Sequence, residues 1–269
     1  MKRAGRRALG GVLILLCVGA AGVWYARRPS KGHPSAMVPA DSSLVRDWLY
    51  YYPSHGTEAA RGFVVLFGND VSFWEPHQDL AWRIADDGYA VLGIDLRKFL
   101  ATLPEREPQR DSAFAVAMPL LIQRARHAMN ADSMPLIVGG HSFGAELAIW
   151  LAAYRPPDRL KGVLLLNTRS SGHLFITAHD WMNEEASGPY SFSTIELITK
   201  IDPRVRIALV RSEKDKFKQH DPDFIKAGGS RLRRFVIPMA AHSLTSMLIA
   251  APLVSRAVRF LSDTTALNE

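Results

Sequence analysis

Pro135-Leu136-Ile137-Val138-Gly139-Gly140-His141-Ser142-Phe143-Gly144-Ala145-Glu146-Leu147-Ala148 runs from apolar residues through a Gly-x-Ser-x-Gly pentapeptide into a helical pattern. The residues before Gly139 fit a strand buried on both faces, and over 143–154 the side chains of Leu147, Leu151 and Tyr154 share one helical stripe. The pentapeptide alone recurs by chance. A strand before it and a helix after it make it a nucleophile elbow, in which a sharp, strained turn presents the serine hydroxyl. Gly140, Gly144 and Ala145 are small, as a backbone passing close to itself requires.

On both sides of this stretch the same alternation repeats. Residues 44–52 have strand composition, and 62–67 form a short apolar run closed by Gly68 and Asn69. A helix is expected over 75–87, ended by Gly88, then a strand over 90–94, a helix over 110–129 and the strand over 135–138 that feeds the elbow. Further strands are expected at 161–167, 205–210 and 235–237, and a closing helix at 245–261 with Leu248, Leu253 and Val258 facing inward. This order predicts an α/β fold with a mostly parallel central sheet flanked by helices. Residues 168–203 interrupt the alternation with Gly172, Gly188, Pro189 and several aromatics. At that length they read as a small cap insertion over the site.

An unassisted serine hydroxyl is a poor nucleophile at neutral pH. It needs an imidazole within hydrogen-bond reach and a carboxylate that holds the imidazole in the right tautomer. After an elbow serine the acid and then the histidine follow along the chain. Asp215 lies just past the strand at 205–210, with Glu213, Asp221 and Asp223 as neighbouring competitors. His242 is the one of nine histidines that follows the last strand. An oxyanion needs two preorganised N–H donors. One comes from the residue after the nucleophile, Phe143, and the other from the loop after the strand at 62–67, at Asn69.

The chain has 33 Lys and Arg against 26 Asp and Glu, yet seven of the bases (Lys2, Arg3, Arg6, Arg7, Arg27, Arg28 and Lys31) precede the first acid. Without them the body balances at 26 against 26, so the basic character belongs to the N-terminus and provides no nucleic-acid surface. Residues 1–28 are expected to be a signal peptide or membrane anchor, with a basic start followed by uncharged residues from Ala8 to Ala26. Val18-Gly19-Ala20 fits cleavage and Arg27-Arg28 fits retention, which leaves open a soluble periplasmic form and one anchored to the inner membrane. Residues 29–43, rich in Pro, Ser, Gly and Ala, read as a flexible linker to a domain over 44–263. Cys17 is the only cysteine, so the body has no internal disulfide. No cofactor or metal is expected: there is no His-Glu-x-x-His, no cysteine pair and no glycine-rich phosphate loop.

Four places give the chain over 62–246 its resemblance to the bacterial virulence protein family VirJ/AcvB, within the α/β-hydrolase superfamily. They are Gly68-Asn69-Asp70 with Trp74, Gly93-Ile94-Asp95-Leu96-Arg97 with Phe99, Gly140-His141-Ser142-Phe143-Gly144-Ala145, and His179-Asp180-Trp181. Here the first loop carries fewer glycines than the family's, and Ala240-Ala241 replaces a Gly-Gly pair before the histidine. The resemblance implies an α/β-hydrolase fold and a periplasmic serine esterase acting on lysyl-phosphatidylglycerol, with an association with type IV secretion. A cationic aminoacyl group calls for a carboxylate; Asp180, Glu184 and Glu185 in the cap beside Trp181 are candidates, with solvated surface charges as the more ordinary reading of the three. Two other readings stay open: a non-catalytic periplasmic binding or secretion-assembly protein on the same fold, and a broad carboxylesterase or lipase.

Overall fold

Runs such as Gly62-Phe63-Val64-Val65-Leu66-Phe67 have no polar face, so they are stable as strands only where both sides of a sheet are covered. The computed structural model describes residues 32–55, 60–182, 184–243 and 247–263. In chain order its first elements are β1 (Leu49–Tyr52), β2 (Gly62–Phe67), α1 (Glu75–Asp86), β3 (Tyr89–Ile94), α2 (Leu96–Leu100), α3 (Glu107–Ala128), β4 (Leu136–His141), α4 (Phe143–Tyr154) and β5 (Leu160–Leu166). They are followed by β6 (Ser171–Gly172), α5 (Ala178–Trp181), β7 (Phe192–Ser193), α6 (Thr194–Lys200), β8 (Arg206–Ser212), α7 (Asp221–Gly228), β9 (Leu232–Ile237) and α8 (Met247–Ser262).

Seven strands form one sheet in the order β1-β3-β2-β4-β5-β8-β9. β1 runs antiparallel to β3, and all other neighbours run parallel. From β2 the chain first steps outward to β3 and then returns to place β4 on the other side. At such a reversal the loops leaving adjacent strands part and open a crevice at the carboxyl ends. Asn69 follows β2 and Ser142 follows β4, so both stand at that crevice. Every residue of β2, β3 and β4 is buried. One face packs against α3, α4 and α6 through Phe114, Met118, Leu147, Leu151 and Ile198. The other packs against α1 and α8 through Leu80, Ile84, Val254, Val258 and Leu261.

Some boundaries differ from expectation for local reasons. Only Leu49–Tyr52 of the stretch 44–52 is strand, because Asp41 caps a 3-10 turn over Ser42–Leu44 by accepting the Ser43 N–H at 3.0 Å. α3 starts at Glu107, since Pro108 in its first turn has no N–H to lose there. Residues 32–43, read as part of a flexible linker, are instead held against the body. Ala36 N–H donates to Tyr51 O at 2.9 Å, Tyr51 N–H donates to Ser35 Oγ at 2.9 Å, and the His33 ring stacks on Trp82 at 4.8 Å. The free edge of β1 offers unpaired backbone groups, and this stretch satisfies them. The expected signal or anchor segment 1–28 lies outside the described residues.

Residues 168–203 carry a two-strand ladder of β6 and β7, the single turn α5, and α6, which packs back on α4. A buried ion cluster joins this segment to α4. Arg169 donates from Nε to Glu146 Oε1 at 2.5 Å, and from Nη2 to Glu146 Oε2 at 2.9 Å and Asp180 Oδ1 at 2.6 Å. One guanidinium thus serves two carboxylates. Burial pushes the Glu146 carboxyl up to about 7 against the pull of Arg169, and Asp180 adds to the rise. Arg169→Met leaves two carboxylates buried without their cation and is expected to cost about 3–5 kcal/mol of folding stability in denaturant titrations. A loss within measurement error would show that the cluster contributes nothing to holding the segment on α4.

Candidate active site

β4 ends at His141 and α4 begins at Phe143, which leaves Ser142 alone to turn the chain. Ser142 sits at φ 53° and ψ −119°, a region that non-glycine residues seldom occupy. Its N–H donates to Leu166 O at 2.8 Å and its carbonyl accepts the Ala145 N–H at 2.9 Å, so neighbouring backbone holds the strain. A Cβ on Gly140 would strike the Gly144 backbone, and a Cβ on Gly144 would strike the carbonyls of Phe67 and Gly68. Two close backbone approaches therefore demand glycine, one within the elbow and one between α4 and the end of β2.

The structure brings Ser142, His242 and Asp215 together. His242 Nε2 lies 2.9 Å from Ser142 Oγ, and His242 Nδ1 lies 3.2 Å from Asp215 Oδ1. The second contact has hydrogen-bond distance but falls short of hydrogen-bond alignment. Asp215 is 1% exposed. Its Oδ1 accepts the Phe217 N–H at 3.0 Å and its Oδ2 accepts from Arg211 Nη1 at 2.9 Å. Burial alone would raise this carboxyl. Contact with His242, the Phe217 amide and the Arg211 charge outweigh it and hold the pKa below the ordinary aspartate value. The competing carboxylates are engaged elsewhere or face solvent. Glu213 accepts the Met239 N–H at 2.7 Å, Asp221 pairs with Arg211 at 2.8 Å and Arg234 at 2.7 Å, and Asp223 is exposed.

Sequence reasoning missed the residues that place His242. The His242 carbonyl accepts two hydrogen bonds, from Asn167 Nδ2 at 2.5 Å and from His141 Nε2 at 3.0 Å. Asn167 sits at φ 51° just after β5, and its Oδ1 accepts the Ser212 N–H at 2.7 Å. His141 Nδ1 lies 3.3 Å from His77 Nε2. Burial pushes His141 down to about 3, with the charge of His242 adding, and burial followed by His141 lowers His77 well below its ordinary value. Both rings are therefore neutral, and their tautomers follow. His141 carries its proton on Nε2 to reach the carbonyl, so Nδ1 accepts from His77 Nε2–H. His77 Nδ1 is left as a bare buried lone pair, with no hydrogen-bond partner among the described residues.

Around this relay the Phe143 N–H stands in the first turn of α4, where a helix provides its amides no internal acceptor. Asn69 follows Gly68, whose carbonyl abuts Gly144, and its Oδ1 accepts the N–H groups of Val71 at 3.1 Å and Ser72 at 3.2 Å. Asp180 corrects an expectation, because it has no oxygen free for substrate. Oδ1 is held by Arg169, and Oδ2 accepts from Thr177 N at 2.7 Å and Thr177 Oγ1 at 3.0 Å, capping its own helix. Glu185 is likewise engaged by the Ser170 and Ser171 amides. Trp181 is 62% exposed, with the Arg97 guanidinium 5.9 Å over its ring. Among the described residues no group of three or more His, Cys, Asp or Glu side chains is arranged to hold a metal ion.

No protein-family model and no curated protein matches this chain. Solved structures do match it. MenH from S. aureus superposes with a TM-score of 0.56 at 13% identity, over 81% of this chain and 100% of that one. Est1E from Butyrivibrio proteoclasticus gives 0.56 at 11% identity, over 80% and 94%. An alpha-beta serine hydrolase homologue from Coxiella burnetii gives 0.53 at 10% identity, over 77% and 89%. The fold is that of the α/β-hydrolases. At such identities the likeness concerns architecture, and the chemistry of this chain has to be argued from its own residues.

The neutral histidine pair makes the fold acid-sensitive. Unfolded, these rings take up protons near 6.5, whereas folded they do not until far lower pH, so their contribution is complete above pH 6.5 and is lost as pH falls toward 3. His141→Gln keeps a donor for the His242 carbonyl and removes one of the two depressed groups. It is expected to flatten the fall in unfolding free energy between about pH 7 and pH 4.5. A slope equal to the wild type's would place the acid sensitivity elsewhere.

Proposed function

We propose that this chain is a serine ester hydrolase. The contact path from Ser142 through His242 to Asp215, set on a strained turn at the carboxyl ends of β4, β8 and β9, carries the proposal. Ser142 Oγ attacks the ester carbonyl carbon as His242 Nε2 takes its proton. The resulting oxyanion is received by the backbone N–H groups of Phe143 and Asn69. His242 then passes the proton to the departing alkoxide, which leaves as the alcohol. Water attacks the acyl-enzyme, gives a proton to His242, and the acid is released as that proton returns to Ser142. Asp215 stays ionised throughout, held so by Arg211 and the Phe217 amide, and balances the imidazolium.

The substrate we assign is an aminoacylated phospholipid, lysyl-phosphatidylglycerol, met at the periplasmic face of the inner membrane. Three features support this reading: the four stretches that resemble VirJ/AcvB, the basic and then apolar N-terminus that fits export and membrane association, and the exposed Trp181 on the inserted segment. The chemistry uses no cofactor.

Ser142→Ala is expected to lower hydrolysis of 4-nitrophenyl acetate by about 10³-fold or more and to abolish labelling by a fluorophosphonate. Undiminished labelling would overturn the assignment of the nucleophile. Asp215→Asn should cut kcat by about 10³–10⁴-fold with little change in KM, because it removes the charge that balances the imidazolium. Vesicles containing lysyl-phosphatidylglycerol should release lysine in the presence of the wild-type protein. If simple esters are cleaved and the vesicles are not, the enzyme is a broad carboxylesterase or lipase. Restoration of a deletion strain by Ser142→Ala would point to a non-catalytic assembly role.

A further inference from the structure

Asp70 is a buried carboxylate without a counterion. It is 8% exposed, and among the described residues its own amide is the one hydrogen-bond donor that meets it. Its surroundings place it at the site. The charges of Asp180, Arg169 and His242 all act on it. The chain places it there too, immediately after Asn69 in the loop that abuts the start of α4. That loop is fastened by Asn69 Oδ1 to the amides of Val71 and Ser72, which keeps Asp70 where it is. Neighbouring carboxylates are matched within the protein: Glu146 and Asp180 by Arg169, and Asp215 by Arg211 and His242. Burial raises the Asp70 carboxyl above the ordinary aspartate value, with Asp180 adding and Arg169 and His242 opposing. A buried charge in this condition is destabilising until a ligand supplies the missing cation.

We infer that Asp70 is the specificity-determining residue of this site and selects esters that carry a positive charge close to the scissile carbonyl. The inference deepens the proposed ester hydrolysis and rests on it. Attack by Ser142 develops negative charge between the Phe143 and Asn69 amides, beside the residue that follows Asn69. An uncharged ester must build its oxyanion against the fixed charge of Asp70. A cationic ester neutralises Asp70 on binding, and its oxyanion then forms next to a paired charge. The same carboxylate therefore penalises one class of substrate and favours the other, a task Asp180 cannot perform because both its oxygens are occupied.

The test uses two esters of the same shape that differ by one permanent charge, ethyl betaine and ethyl 3,3-dimethylbutanoate. Asp70→Asn should lower kcat/KM for the first and raise it for the second, so that their ratio falls by about 10- to 100-fold, the size expected for one unit charge a few ångströms away in a partly shielded site. Opposite movement of the two values is a signature that a merely structural role cannot produce. An unchanged ratio overturns the assignment of Asp70 and leaves ester hydrolysis standing, whereas a wild-type protein that cleaves neither ester overturns both. The wild type supplies a second measurement that does not depend on the folding of a variant. Its cationic-to-neutral ratio should fall as pH is lowered and Asp70 takes up a proton. Glu146, pushed up to about 7 and paired with Arg169, also takes up a proton as pH is lowered, so the fall assigned to Asp70 is the part that remains below that step. A flat ratio between about pH 8 and pH 4 would also overturn the assignment.

Discussion

The distance at which α4 can approach the end of β2 governs the carboxyl end of this sheet. Gly144 lies against the carbonyls of Phe67 and Gly68 with no room for a side chain, and Gly140 lies in the same way against Gly144. Because the helix starts so close, the chain must turn within one residue, and Ser142 takes the positive φ that such a turn requires. The same approach draws the loop of Asn69 and Asp70 up to the first turn of α4. The placement of Ser142, of the Phe143 and Asn69 backbone and of Asp70 thus follows from one backbone contact.

The partner histidine reaches that serine by another route. His242 lies on a loop beyond β9, and its carbonyl is gripped by Asn167 from the end of β5 and by His141 from the end of β4. With the backbone so held, the imidazole lies between Ser142 and Asp215. In the neutral pair His141 donates from Nε2 to that carbonyl while its Nδ1 accepts from His77.

Much of this was legible in the residues. Strands buried on both faces write themselves as unbroken apolar runs, which is why 62–67 and the helix at 143–154 were readable to the residue. The order Ser142, Asp215, His242 was readable because each follows a strand end. What the sequence concealed is satisfaction. Asp180 and Asp70 are the same residue type, yet Asp180, in the single turn α5, is saturated by Arg169 and Thr177, and Asp70, in the loop after β2, meets no cation among the described residues. The Thr177-x-x-Asp180 spacing was a local sign that Asp180 caps its own helix. The grip on the His242 carbonyl left no such sign, since its target is a main-chain atom 101 residues from His141. Residues 32–43 looked like linker because they carry few apolar side chains, and what holds them is the pairing of Ser35 and Ala36 with Tyr51 together with Met37 against the core.

That cover on β1 also bears on how the molecule behaves among its own kind. At one border of the sheet, Ser35 and Ala36 occupy the backbone groups that a strand from another copy would seek. At the other border β9 exposes Arg233, a charge that repels its copy on an identical strand laid alongside. Sheets of neighbouring molecules are thus kept from fusing into a continuous ribbon, and self-association is left to the helical faces. For a fold built on so many apolar strands, this closure at both margins guards against fibrous aggregation.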